Sequence, residues 1–244
     1  MRSSRLFYSF AAAIGCALIF SCGSRQTVHD LLKLGNRKFD STLIKAAWQA
    51  YREATEIDPA FDSAWFGMGM CKHHEADFKE AIKYYSKAIE LNPKFVRAYN
   101  NRGLVFGISG NPDAELKDYN TAISIDPNYH MAFYNRGNYW LDRKDYKQAL
   151  EDYNRAIAIF PKYAKAFFNR AEAFTDMGDY TAAIDDYNAF ISLMPGSGEV
   201  AEALFLRGNC RFQLNDEENA CTDWNKAKSL GFPGAFDQIK KYCK

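Results

Sequence analysis

Residues of the same type recur every 34 positions along most of this chain. The recurring prolines are Pro59, Pro93, Pro127, Pro161 and Pro195. Tyrosines keep the same spacing at Tyr51, Tyr85, Tyr119, Tyr153 and Tyr187, and glycines keep it at Gly35, Gly69, Gly103 and Gly137. Because several independent columns share one period, the sequence predicts an array of similar units that stack on one another.

The chemistry of these columns indicates a pair of helices in each unit. Gly69 in the first helix and Ala81 in the second are small enough to let two helix backbones approach closely, and Tyr85 fills the gap toward the next unit. Each recurring proline disfavours a helical conformation in the residue before it and so ends the second helix. The period therefore predicts an all-α fold of stacked helical hairpins.

The period and its columns resemble the tetratricopeptide repeat family over residues 28–231. This resemblance implies a right-handed α-solenoid of helix-turn-helix hairpins whose first helices line a concave face. The repeats are expected at 28–61, 62–95, 96–129, 130–163, 164–197 and 201–231, with a capping helix at 234–242.

The junction between the fifth and sixth repeats departs from this pattern. Phe190 stands where the other repeats carry a small residue, and Gly198-Glu199-Val200 adds three residues before the sixth repeat. A bulky side chain at this place predicts an adjusted packing angle, or else a hinge or a docking notch.

Arginine and aspartate occur together in the third to sixth repeats and are both missing from the first two. Joint presence and joint absence indicate a structural ion pair inside each of these four hairpins. The predicted pairs are Arg102 with Asp118, Arg136 with Asp152, Arg170 with Asp186, and Arg207 with Asp223.

The predicted concave face of the third to sixth repeats carries mainly amide and aromatic side chains. Helical geometry assigns to it Arg97, Asn100, Asn101, Tyr134, Asn135, Asn138, Lys165, Phe168, Asn169, Glu202, Phe205 and Asn209. The second repeat adds Phe66, Met70, His73 and His74 to this face. An amide both donates and accepts, so Asn101, Asn135 and Asn169 could bond to a peptide backbone of any sequence, or they stay hydrated. The basic residues with which a chaperone-binding subclass of this family grips a terminal carboxylate are missing here, so that mode is excluded.

The first 22 residues differ from the rest of the chain. Arg2 and Arg5 precede the apolar run Leu6 to Phe20, which has the length of a signal-peptide core and is short for a membrane span. Followed by Ser21-Cys22, this segment resembles a bacterial lipoprotein signal. The resemblance implies secretion across the inner membrane, lipidation of Cys22 and a periplasm-facing membrane anchor. Ordinary secretion and a retained anchor helix are the alternatives.

The four cysteines that follow the first 22 residues divide into two groups. Cys71 and Cys210 share a column that normally holds a small buried residue, so we expect packing thiols. The stretch from Cys221 to Cys243 resembles the endings of many bacterial tetratricopeptide lipoproteins. In an oxidising compartment a disulfide between these two cysteines would staple the capping helix.

Composition and motifs argue against several classes of function. The 31 basic and 30 acidic residues are interspersed, so nucleic acid is not an expected partner. The sequence contains no phosphate-binding glycine loop, His-Glu-x-x-His pair or serine-nucleophile elbow. His73 and His74 are adjacent and point in different directions on a helix, so we expect them to face solvent or a partner instead of a metal.

These features predict a non-enzymatic scaffold of the bacterial cell envelope, without metal or cofactor, that binds an extended peptide or partner protein in its concave groove. The alternative is an accessory lipoprotein for envelope assembly or transport, which holds a small-molecule ligand or docks a transporter subunit. Nothing in the sequence indicates an oligomeric state.

Overall fold

Helices follow one another along the whole of the chain that the computed structural model describes, residues 27–243, and this range contains no β-strand. The first helix, α1, covers 27–40. It is followed by α2 (Ile44–Ile57), α3 (Asp62–His74), α4 (Phe78–Leu91), α5 (Val96–Ile108), α6 (Pro112–Ile125), α7 (His130–Asp142), α8 (Tyr146–Ile159), α9 (Ala164–Met177), α10 (Tyr180–Leu193), α11 (Val200–Gln213), α12 (Glu217–Ser229) and α13 (Ala235–Tyr242). The all-α class predicted from the period is confirmed.

The described residues form two compact units, which we call unit 1 (up to residue 121) and unit 2 (from residue 122). Within unit 1, α3 packs against α4 as a hairpin, and it also contacts α2, while α4 contacts α5. Within unit 2 the hairpins are α7 with α8, α9 with α10, and α11 with α12, and each hairpin contacts the next. Consecutive helices therefore pack as stacked hairpins in each unit, as the columns of small residues predicted.

The recurring tyrosines are fully buried, and Tyr51 lies between two glycines of neighbouring hairpins. A methyl group on Gly35 or Gly67 would lie 2.4 Å or 2.6 Å from the Tyr51 ring. Gly35 belongs to the hairpin of Tyr51, whereas Gly67 is on the first helix of the next hairpin. The glycines thus admit a tyrosine ring, where the sequence had indicated only a close approach of two backbones.

The turn inside each hairpin uses one residue with a left-handed backbone. The residue is a glycine at Gly110 (φ 74°) and Gly178 (φ 81°), and it carries a side chain at Ala76 (φ 58°) and Lys144 (φ 60°). These positions are 34 residues apart, so the turn geometry repeats even where glycine does not.

The four predicted ion pairs are present, and every arginine is bidentate. Arg102 donates from Nε and Nη2 to the two Asp118 carboxylate oxygens at 2.7 and 2.8 Å. The other three pairs have the same geometry, and all four aspartates are buried. In Arg102, Arg170 and Arg207 the remaining guanidinium nitrogen, Nη1, donates to the second helix of the preceding hairpin, at Ser86, Asn154 and Asn188 respectively. These arginines hold neighbouring hairpins together as well as their own.

The C-terminal helix α13 occupies the range predicted for the cap and packs against α12. A disulfide joins Cys221 of α12 to Cys243 directly after α13. The free thiols of Cys71 and Cys210 are fully buried, and burial raises the pKa of both. They occupy the packing positions that the sequence indicated.

None of the described helices is both long and apolar enough to cross a membrane. The expected signal segment at 1–22, with the lipidation site Cys22, lies outside the described residues.

Candidate functional site

Unit 2 contains a cavity of about 170 Å³, which we call the unit-2 cavity. Its lining comes from the first helices of three successive hairpins, from the second helix of the middle hairpin and from the joint before the last hairpin. The lining residues are Tyr134 of α7, Lys165, Phe168 and Asn169 of α9, Phe190 of α10, Glu199, and Glu202 of α11. Five of these seven residues belong to the binding surface predicted from the sequence.

Aromatic rings form the apolar part of the unit-2 cavity. Phe168 stands edge-on to Phe190, with ring centroids 5.1 Å apart, and edge-on to Tyr187 at 5.7 Å. Phe190 is only 1% exposed and packs into the core that joins α9, α10 and α11. The bulky residue at the irregular joint therefore supports a cavity wall.

Charged groups of both signs surround this aromatic wall. Lys165, Glu199 and Glu202 are exposed, and no ion pair joins the lysine to either glutamate. Burial, and then the charge of Glu202, raises the pKa of the nearby Glu172. The rim can thus meet a positive group and a negative group of one bound segment.

Asn169 is held in place by its neighbours. Its Nδ2 donates to Tyr134 Oη at 3.1 Å and to Asn138 Oδ1 at 2.8 Å. The amide therefore has a fixed orientation at the edge of the unit-2 cavity before any partner arrives.

Two other predicted groove asparagines serve buried aromatic side chains. Asn138 Oδ1 accepts from Tyr153 Oη at 2.8 Å, and Asn209 Oδ1 accepts from Trp224 Nε1 at 3.0 Å. Because a buried donor needs an acceptor, these amides have a structural role. Phe205 stacks on Phe232 with centroids 4.9 Å apart and lies outside the cavity lining.

Unit 1 contains a second cavity, of about 370 Å³, which we call the unit-1 cavity. It is lined by Phe39, Met70, His73, His74, Tyr85 and Asn101. Met70, His73, His74 and Asn101 belong to the surface predicted from the sequence. The sequence indicated that the two histidines face solvent or a partner, and both open onto this cavity.

The remaining predicted groove residues lie apart from both linings. Asn100 is buried and donates from Nδ2 to Asn101 Oδ1 at 3.2 Å. Arg97 is exposed, with its guanidinium 4.9 Å from the centre of the Phe66 ring. Asn135 is half-buried on α7.

Reasoning from the sequence missed two of the residues that line the unit-2 cavity. Glu199 was noted only as part of an insertion, and Phe190 only as an irregular packing residue. The signal was their coincidence, because an extra loop beside an oversized side chain leaves a space between two hairpins. Across the described residues no group of three or more His, Cys, Asp or Glu side chains is arranged to hold a metal ion.

Solved structures that resemble the chain are themselves built from such hairpins. PilF of Pseudomonas aeruginosa matches with a TM-score of 0.79 and 20% identity, over 90% of this chain and 99% of that one. PilW, described as a type IV pilus biogenesis factor, matches with a TM-score of 0.77 and 17% identity over 88% and 99%. YrrB, described as having an unusual peptide-binding site, matches with a TM-score of 0.63 and 20% identity over 78% and 98%. None of the curated proteins compared with the sequence matches it.

Five models of the tetratricopeptide repeat match the sequence, at residues 63–95, 84–117, 109–164, 137–207 and 202–234. The matches overlap or follow closely from 63 to 234, and they agree with the hairpins and with the solved structures. The chain belongs to the tetratricopeptide repeat family.

Proposed function

We propose that this chain is a non-enzymatic interaction scaffold that binds an extended peptide segment of a partner protein, with the unit-2 cavity as a principal contact. One observation carries the proposal. Tyr134, Lys165, Phe168 and Asn169, chosen from helical position alone, surround a single cavity with an aromatic wall and a charged rim.

The size of the unit-2 cavity favours a side chain over a separate small molecule. Its volume of about 170 Å³ is below the roughly 300–1,000 Å³ typical of small-molecule sites. One large apolar side chain of a bound segment would meet Phe168, while neighbouring charged residues of that segment would meet Lys165 or Glu202. An apolar centre with a polar rim is the usual anatomy of a protein interface.

A random array of short immobilised peptides, probed with the full chain, tests this function. Lys165→Glu reverses an exposed charge on the cavity rim. We expect this variant to bind the peptides selected by the wild type roughly ten times more weakly, or to select peptides with different charges. Lys162→Glu is the matched control, because Lys162 is also exposed but lies in the preceding turn, outside the lining. An array without binding above background, or equal effects of the two variants, would contradict the proposal.

We place this scaffold in the bacterial cell envelope, anchored through a lipid on Cys22. The support is the charged start, apolar run and cysteine at the N-terminus, together with a disulfide that requires an oxidising compartment. Cys22→Ser should move the protein from the membrane fraction to the soluble fraction and abolish labelling by radioactive palmitate. Retention of the label would overturn the anchor and leave peptide binding untouched.

Assembly of a type IV pilus is a more specific candidate for the task of the scaffold. PilF and PilW each match over 99% of their length, although likeness at this identity shows only the fold. Deletion of the gene in a piliated host should reduce the number of surface pili. The wild-type gene should restore them, whereas the Lys165→Glu variant should not. Normal piliation in the deletion strain would exclude this role.

A further inference from the structure

The Tyr85 hydroxyl differs from its counterparts in the first and fourth repeats. Tyr51 Oη donates to Asn36 Oδ1 at 2.8 Å, and Tyr153 Oη donates to Asn138 Oδ1 at 2.8 Å. In the sixth repeat the corresponding Trp224 donates to Asn209. The position of these asparagines is Met70 in the second repeat, and a thioether is only a weak acceptor.

Tyr85 is therefore left with an unsatisfied donor. The residue is fully buried, and its Oη has no hydrogen-bond partner. Burial raises the pKa of Tyr85, and the facing Asn101 side chain partly offsets this rise, although no bond of good geometry joins the two. A buried hydroxyl without an acceptor lowers the stability of the folded protein by about 1–3 kcal/mol. A bound group that accepts a hydrogen bond from Tyr85 would remove this cost.

Tyr85 lines the unit-1 cavity, and its ring is fixed by its neighbours, so the hydroxyl has a defined position. A methyl group on Gly69 would lie 2.6 Å from the ring, and Phe66 packs on it with centroids 5.6 Å apart. Its oxygen is covered in the free protein, so an occupant reaches it only when a neighbouring side chain rotates. Met70 is half-buried and unbranched, and such a chain moves at low cost.

The lining of the unit-1 cavity selects for an uncharged occupant that accepts hydrogen bonds. Burial lowers the pKa of His73, which keeps this imidazole neutral at pH 7. No Asp, Glu, Lys or Arg lines the cavity, so an ionised group would lose water without gaining a counter-charge. Asn101 Oδ1 already accepts from Asn100, which leaves its Nδ2 as a donor beside the tyrosine.

From these contacts we propose that the unit-1 cavity is a second peptide subsite, which takes an uncharged residue whose carbonyl oxygen accepts a hydrogen bond from Tyr85 Oη. The apolar part of that residue packs on Phe39 and Met70. This inference rests on the proposed peptide-binding function and names the chemistry of one subsite. Tyr187 Oη also lacks a partner, but it does not line the unit-2 cavity, so that cavity offers no equivalent bond.

Stability of the free protein gives the first test. Tyr85→Phe removes a donor that has no acceptor, so we expect an unchanged or higher free energy of unfolding. Tyr153→Phe is the matched control, because its hydroxyl is bonded to Asn138, and it should lose about 1 kcal/mol. If Tyr85→Phe loses as much as Tyr153→Phe, the hydroxyl is already satisfied and the proposal fails.

Binding gives the second test, with N-acetylphenylalaninamide as the uncharged probe and N-acetylphenylalanine as its charged counterpart. The full chain carries methyl-labelled methionine, and the Met70 resonance is identified by its loss in Met70→Asn. We expect the amide to shift this resonance, the carboxylate to bind more weakly, and Tyr85→Phe to reduce affinity for the amide roughly tenfold. Equal affinity of Tyr85→Phe and wild type, or tighter binding of the carboxylate, would overturn the inference.

Met70→Asn gives an independent test, because it supplies Tyr85 with the acceptor that Asn36 and Asn138 provide for the tyrosines of other repeats. We expect a more stable protein whose selected peptides on the array bind more weakly. Lys165→Glu should leave the Met70 shift by the amide probe unchanged. Failure at Tyr85 while peptides still bind through Lys165 would reject only this subsite, whereas an empty array would reject the general function.

Discussion

Arg170 and Asp186 form a planar, two-bond ion pair: Nε and Nη2 of the arginine each donate to one carboxylate oxygen at 2.7 Å. The third nitrogen, Nη1, donates to Asn154 of the preceding hairpin. Asp186 is 5% exposed, so its charge depends on this arginine for compensation. One side chain therefore stabilises its own hairpin and the contact with the previous hairpin.

This pair gives the first prediction, which concerns the order of stability among variants. Asp186→Ala leaves a partly buried guanidinium without its carboxylate and should lower the free energy of unfolding by about 3 kcal/mol. The double variant Arg170→Met, Asp186→Leu removes both charges and should lose less. Urea unfolding of the three proteins checks the order. A double variant less stable than Asp186→Ala would show that the pair contributes a net gain beyond compensation of its charges.

The second prediction tests the structural role of Asn138. Asn138→Ala removes the acceptor of the buried Tyr153 hydroxyl and should cost about 2 kcal/mol. Asn128→Ala is a control in an exposed turn, and it should change stability by less than about 0.5 kcal/mol. Thermal unfolding measures both. Equal melting temperatures of the two variants would mean that water satisfies Tyr153 equally well.

The hairpins and their ion pairs were predictable because repeats can be compared within one sequence. The columns of Arg102 and Asp118 are both present in the third to sixth repeats and both missing from the first two. This covariation identified each arginine's partner. The bond from Arg102 to Ser86 was not predicted, because that column holds polar residues next to a buried tyrosine and resembles an ordinary solvated face. Its residues also follow the 34-residue spacing, at Ser86, Asn120, Asn154 and Asn188, which was the available signal.

The candidate site was only partly predictable. Helical position places Asn138 and Phe168 on the same face, but it does not show which of these side chains forms a hydrogen bond with a buried neighbour. Asn138 accepts a hydrogen bond from Tyr153, whereas Phe168 lines the unit-2 cavity. Asking where each buried hydroxyl finds its acceptor would have separated these roles. The cavity itself depends on the volume of Phe190 and on the length of the loop before α11, which a regular period cannot describe.

The third prediction concerns the close contact of glycine and tyrosine. A methyl group on Gly137 would lie 2.6 Å from the Tyr153 ring, so Gly137→Ala forces the ring to move and should destabilise by about 1–3 kcal/mol. Gly196→Ala is the matched control, because nothing lies within 4 Å of its added methyl group. Urea unfolding compares them. A neutral Gly137→Ala would show that the tyrosine ring has room that the packing does not reveal.

The disulfide gives the fourth prediction. It connects residues separated by 22 positions in the sequence, and closure of such a loop stabilises by about 3 kcal/mol. Reduction should therefore lower the melting temperature. It should also increase proteolysis after α12, because α13 is then held mainly by contacts such as that of Tyr242 with Phe212 of α11, whose ring centroids are 4.3 Å apart. The double variant Cys221→Ser, Cys243→Ser should behave like the reduced protein and ignore reductant. A wild type equally stable with and without reductant would show that packing alone holds α13.

The fifth prediction uses the pKa of Glu172, which burial raises first and Glu202 and Asp176 raise further. Between its unfolded value and this raised value, the folded state holds a proton that the unfolded state lacks, so lowering the pH through this window stabilises the protein. Glu172→Gln should therefore be more stable than wild type at about pH 7.5, with an advantage that shrinks toward about pH 5. Urea unfolding at low salt measures the difference, and Glu218→Gln, exposed on α12, controls for the loss of one negative charge. An advantage that stays constant with pH would mean that Glu172 loses no more water on folding than a surface carboxylate does.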